Sequence, residues 1–126
     1  MTSRRTASEE RRDVAVRALA GLGSHRSDRQ QVGIECRHSH HLAAVYLTDE
    51  GLVFRSRTGP HSHGSKDFVD SGQHGAKGGE EYVDLLAADL SASDDLPAWC
   101  DCGPRMLSRR DVLGYVDAGR RMVRLP

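Results

Sequence analysis

The stretch Gln31–Arg57, QVGIECRHSHHLAAVYLTDEGLVFRSR, decides how this chain is read. Val32, Ile34 and Cys36 alternate with polar residues, the period of a half-buried strand. Leu42–Thr48 is a second apolar run and Leu52–Arg57 a third. Between those two, Asp49-Glu50-Gly51 ends in the glycine that a tight hairpin turn favours. Strands joined by short turns predict an antiparallel sheet. Between the first two runs lies Cys36-Arg37-His38-Ser39-His40-His41, a cysteine and three histidines within six residues.

A second cluster, Cys100-Asp101-Cys102-Gly103, holds the other two of the three cysteines in this 126-residue chain. Structural zinc takes four ligands in a tetrahedron, mostly thiolates with up to two imidazoles. Three cysteines and one histidine supply that set. Gly103 lets the backbone turn its N–H groups toward the sulfurs without hindrance from a Cβ. Ser39 is the small residue in the matching place, because Cys36-x-His38-Ser39 has the spacing of Cys100-x-Cys102-Gly103. The expected ligands are Cys36, Cys100 and Cys102 with His38 or His40 as the fourth. His38 satisfies the internal symmetry, His40 closes a wider loop, and His41 ranks behind both. Cys36 alone would read as a core residue, since free cysteine is usually buried. A Cys100–Cys102 disulfide, strained by its short spacing, is the redox alternative. His61 and His63 form a weaker metal clip, of a kind that is ordinarily just solvated.

Working outward, Ser8–Ala20 reads as a helix with Ser8, or Thr6 with Glu9, at its start and Gly21 and Gly23 past its end. Val14, Ala18 and Leu22, with Ala15 and Leu19, make one narrow apolar stripe. Residues 1–7 read as disordered. Residues 58–79, with six glycines and three histidines, read as a long flexible loop. Glu80–Leu90 reads as a short helix, with a strand through Tyr82–Leu86 as the alternative. Ser91–Asp95 is another loop, and Leu96–Cys100 leads into the second cluster. Met106 and Leu107 leave it as a short strand. Ser108–Asp111 is a capping box opening a helix through Val112, Leu113, Tyr115 and Val116. Gly119 ends that helix, and Arg121–Leu125 alternates apolar and basic as an edge strand would. The expected fold class is α+β, with residues 1–30 as N-terminal helix and tail and residues 31–126 as the domain proper.

Composition narrows the function. Lys and Arg total 18 and balance 18 Asp and Glu, so no global field attracts the chain to nucleic acid or an anionic membrane. No apolar run is long enough to span a bilayer, and Met1–Arg5 leads into mixed charge rather than a signal-peptide core. A reducing cytoplasm is the expected compartment, consistent with an odd cysteine count. Six aromatic residues make a thin core, which favours a metal staple. Neither His-x-Glu with Pro-Cys-x-x-Cys nor His-Glu-x-x-His occurs, so a zinc deaminase or protease is disfavoured. An open zinc position with Glu35 or Asp101 as general base is the enzyme alternative. A binding role ranks first, with a protein partner ahead of nucleic acid. The latter would use Arg105, Arg109, Arg110, Arg120, Arg121 and Arg124 on phosphates.

Cys36–Tyr46 (CRHSHHLAAVY), Trp99–Gly103 (WCDCG) and Ser108–Val123 (SRRDVLGYVDAGRRMV) resemble the small zinc-ribbon proteins typical of high-GC actinobacteria and their phages. In such proteins a cysteine is followed by a Gly-His pair and a strand. Ser39-His40 occupies that place here, which favours His40 as ligand. The resemblance implies a zinc-stabilised β-ribbon fold and binding rather than catalysis.

Overall fold

The computed structural model describes residues 7–57, 81–86 and 95–126. Gln30–Glu35 (β1), His41–Thr48 (β2) and Gly51–Arg57 (β3) run as antiparallel neighbours, as their alternation and turns predict. At the β2–β3 turn the Thr48 hydroxyl donates to the Gly51 carbonyl at 2.8 Å and accepts from the Glu50 N–H at 3.1 Å. Gly51 has φ 106°, a conformation that a side chain would strain.

Glu81–Leu85 (β4) and Met122–Arg124 (β7) complete a five-stranded sheet of order β4-β3-β2-β1-β7. Asp95–Cys100 (β5) and Gly103–Ser108 (β6) form a separate antiparallel hairpin. The fold is α+β. It departs from the all-antiparallel expectation at one edge, where β7 runs parallel to β1 with Ile34 opposite Val123. The helix Arg109–Asp117 (α2) leads from the separate hairpin into β7, and the long chain between β1 and β7 leaves room for their parallel pairing.

Both faces of the sheet are covered. On one, the helix Ala7–Ala20 (α1) lays Ala15 and Leu19 against Ala44, Tyr46, Val53 and Val83. Val14, Ala18 and Leu22 of the expected stripe are half-buried at its margin. On the other, Ile34, Val45 and Phe54 meet Leu96 and Leu107 of the hairpin and Val112 of α2. The successive alanines Ala43 and Ala44 are both fully buried, one toward each layer. Small side chains at the sheet's centre let both layers approach. The core suggested by six aromatics is therefore thin but doubled.

α2 starts as the capping box predicts: the Asp111 N–H donates to Ser108 Oγ at 3.3 Å. Gly119, φ 71°, follows its end. Glu80–Leu90 needs correction, because its described part is strand β4 rather than helix. Val83 packs toward α1 while Leu86 packs toward the hairpin layer. Tyr82 and Leu86 pack with one layer and Val83 and Leu85 with the other, and over so few residues apolar positions on both faces mimic a helix. Expectations for residues 1–6, for the loops at 58–79 and 91–94, and for His61 and His63 lie outside the described residues. Among the described residues no helix is long and apolar enough to cross a membrane.

Candidate metal centre

The connection between β1 and β2 follows from its hydrogen bonds. The Ser39 N–H donates to the Cys36 carbonyl at 2.9 Å, and the Cys36 N–H donates to the His40 carbonyl at 2.9 Å. Arg37, His38 and Ser39 thus form a three-residue hairpin loop, a turn closed by a left-handed residue. That residue is Ser39, φ 69°, the only non-glycine with positive φ among the described residues. Gly103, φ 116°, takes the positive φ at the β5–β6 tip, but that turn is shorter, because Cys100 pairs directly with Gly103 across Asp101 and Cys102. The matched spacing of the two clusters places a positive-φ residue at each tip, in turns of different length.

The ligand pattern does not follow that symmetry. Cys36, His40, Cys100 and Cys102 bring their donor atoms within 4.8 Å of one another. His38 is outside this group and exposed; its ring nitrogen Nε2 lies 3.4 Å from Arg37 Nε. His38 contributes through its backbone instead, donating its N–H to Cys36 Sγ at 3.3 Å. His41, the first residue of β2, is also exposed. The αL turn at Ser39 carries the chain back so that the residue after the small residue reaches the cluster. At the second tip the residue before Gly103 does so.

The spacing suits a tetrahedral ion. Metal–sulfur bonds of about 2.3 Å and metal–nitrogen bonds of about 2.0 Å put a sulfur and a nitrogen about 3.5 Å apart at tetrahedral angles. Cys102 Sγ lies 3.5 Å from His40 Nδ1. This Cys3His cluster can hold a metal ion, and its donors arrive in pairs from two hairpin tips more than 60 residues apart in sequence (|i−j| = 62 for His40 and Cys102). Cys36 and Cys100 are buried, His40 is half-buried and Cys102 is exposed. Burial pushes the Cys36 thiol up, but the His38 and His40 backbone N–H groups, with the Cys100 and Cys102 thiols, outweigh it and bring it down to about 7. Lost solvation and the neighbouring Cys36 and Cys100 move Cys102 the other way.

The other candidates fall away from this centre. Glu35 is paired with Arg124 at 3.1 Å, and Asp101 is exposed in the turn between the two cysteines. Of the six C-terminal arginines, Arg109 is buried. Arg105 reaches the Pro126 carbonyl at 3.2 Å, and Arg110, Arg120 and Arg121 are exposed.

Sequence reasoning missed a second buried polar cluster. Asp84 on β4 is fully buried. It accepts from Arg11 Nε at 2.6 Å and Nη2 at 3.0 Å, from Arg109 Nη2 at 3.0 Å, and from the Tyr82 hydroxyl at 2.7 Å. Arg109 Nη1 also donates to the Leu85 and Leu86 carbonyls at 2.6 and 3.1 Å. One carboxylate thus ties α1 and α2 to the sheet edge. Burial alone would raise the Asp84 carboxyl, yet hydrogen bonds from Arg11, Tyr82 and Arg109 hold it below the usual carboxylate range. Burial and Asp84 push Tyr82 up to about 12. No local sequence signal marks this cluster, because its members are common residues at unrelated positions.

Comparison of the chain with protein-family models, with curated proteins and with solved structures found no match.

Proposed function

We propose that the ion bound here is zinc and that the protein is a zinc-ribbon-type interaction module of the reducing cytoplasm. The observation that carries this reading is the convergence of three thiols and one imidazole from two hairpin tips. That donor set is the one structural zinc prefers. Four protein ligands leave no position for a water to be activated, so the metal acts as a fastener. It clips the β5–β6 hairpin to the sheet at one end, while the Ser56 hydroxyl, donating to the Pro97 carbonyl at 2.5 Å, holds its strand β5. The partner is a protein rather than nucleic acid. Arg109 is consumed on Asp84 and Arg124 on Glu35, which thins the basic face that phosphates would need.

Metal analysis of the purified protein tests the first part. The expected result is one zinc per chain, lost together with the fold in both Cys36→Ser and Cys102→Ser, because metal binding and folding are coupled. Full zinc retention by both variants sinks the reading. For the partner, pull-downs with and without nuclease separate the two classes. Capture that survives nuclease and moderate salt supports a protein, and loss under either treatment supports nucleic acid.

A further inference from the structure

The four donors differ in accessibility. Cys36 and Cys100 are 3% and 2% exposed, whereas Cys102 sits exposed in the β5–β6 turn. We propose that Cys102 is an oxidation site for peroxides, and that its oxidation ends in a Cys36–Cys102 disulfide that empties the metal centre. This rests on the zinc reading above.

Coordination keeps a cysteine deprotonated at neutral pH, and the thiolate is the nucleophilic form. Buried thiolates are shielded from a dissolved oxidant, and an exposed one is not. Cys102 Sγ attacks one peroxide oxygen. The S–O bond forms, the O–O bond breaks, and hydroxide leaves to take a proton from water. The product is a sulfenic acid. A second thiolate then attacks its sulfur, forming S–S and expelling the hydroxyl, which leaves as water after protonation. Two thiolates lose two electrons in all, and one peroxide gains them.

Two cysteines compete to be the second thiolate. Cys100 is separated from Cys102 by one residue, and a disulfide closed across so short a span is strained. Cys36 comes from the facing hairpin, with its sulfur within 4.8 Å of Cys102 Sγ and no short ring to close. The geometry therefore favours Cys36. Consuming Cys36 and Cys102 leaves Cys100 and His40, too few donors to hold the ion. The two tips remain joined, by a covalent bond in place of the metal.

The test uses the full chain reconstituted with zinc, hydrogen peroxide as oxidant, and a chromogenic chelator to read released metal. The expected result is one zinc released for every two thiols lost, with a Cys36–Cys102 peptide in a non-reducing digest. Dithiothreitol should restore zinc binding. Before oxidation, iodoacetamide should label Cys102 first, roughly tenfold faster than Cys36 or Cys100. Cys102→His keeps four donors while removing the exposed sulfur, and should slow peroxide-driven release by a similar factor. Where that variant fails to bind zinc, the labelling order and the linked peptide in the unaltered protein decide. Zinc retained under peroxide, Cys36 or Cys100 labelled first, or a Cys100–Cys102 peptide overturns the oxidation proposal and leaves the zinc reading standing. A chain that takes up no zinc before oxidant is added overturns both.

Discussion

Two fastenings hold this protein, and they use opposite chemistry. At the hairpin tips, three cysteines and His40 converge on a space sized for a cation. At the β4 edge, the single anion Asp84 is gripped by two guanidiniums and a phenol. The first is a set of thiol and imidazole donors that can hold a metal ion; the second is cationic in sum and complete in itself. Each joins elements far apart in the chain, and each includes fully or nearly fully buried groups. A small core buried on two faces needs its margins pinned, and polar clusters can do so only when fully satisfied.

The largest expected effect is at the tips. Chelation of the metal, or Cys100→Ser, should abolish cooperative unfolding, followed by circular dichroism in urea. A sharp transition surviving chelation would break the contrast, leaving Asp84 as the main fastening. Next is Asp84→Asn, which removes the charge shared by the buried Arg109 and the half-buried Arg11. It should cost about 3–5 kcal/mol in urea unfolding, as removal of one member of a buried ion pair does. Metal content should stay unchanged. Simultaneous loss of metal would show that the two fastenings are one unit.

Acid should separate them. Protons compete with the metal for thiolate and imidazole, so metal release is expected below about pH 6. Asp84 behaves differently, since its folded-state pKa is depressed. Its stabilisation is complete above the ordinary aspartate value of about 3.9 and fades only as pH falls through the lower folded value. Metal release and loss of structure followed together from pH 7 to 2 should therefore coincide below about pH 6, before Asp84 takes up a proton. Structure that persists after metal release and is lost only in the aspartate range would show that the Asp84 cluster holds the fold without the metal. Two smaller effects calibrate the scale. Ser108→Ala removes the α2 cap and should cost about 1 kcal/mol. Ser39→Gly relieves a left-handed serine and should stabilise the first tip by about 0.5–1 kcal/mol in thermal unfolding, with metal content unchanged.

The two fastenings also differ in how far they can be read beforehand. Cysteine and histidine announce themselves by rarity and spacing, so Cys36, Cys100 and Cys102 stand out from the sequence alone. The choice between His38 and His40 needed the turn geometry, because spacing cannot say which side of an αL residue reaches inward. Arg11, Asp84 and Arg109 carry no such mark; the 73 residues separating Arg11 from Asp84 hide their pairing. The β2–β3 hairpin and the Ser108 cap were legible because their determinants are local. Strand β4 reads only as the alternative to a helix, for the opposite reason. Its conformation is set by burial between α1 and the hairpin layer, which no local period reports. The parallel docking of β7 on β1 is likewise a tertiary fact.

That reach along the chain has a consequence for biosynthesis. The β1–β2–β3 strands depend on contacts within residues 30–57, so they can pair early on the ribosome. The cysteine–histidine clasp must wait for Cys102 and the carboxylate clasp for Arg109, both of which leave the ribosome well after those strands. Until then the nascent chain presents Cys36 and His40 without their partners, and Asp84 with at most one of its arginines. The segment from Cys102 to Arg109 thus completes both clasps.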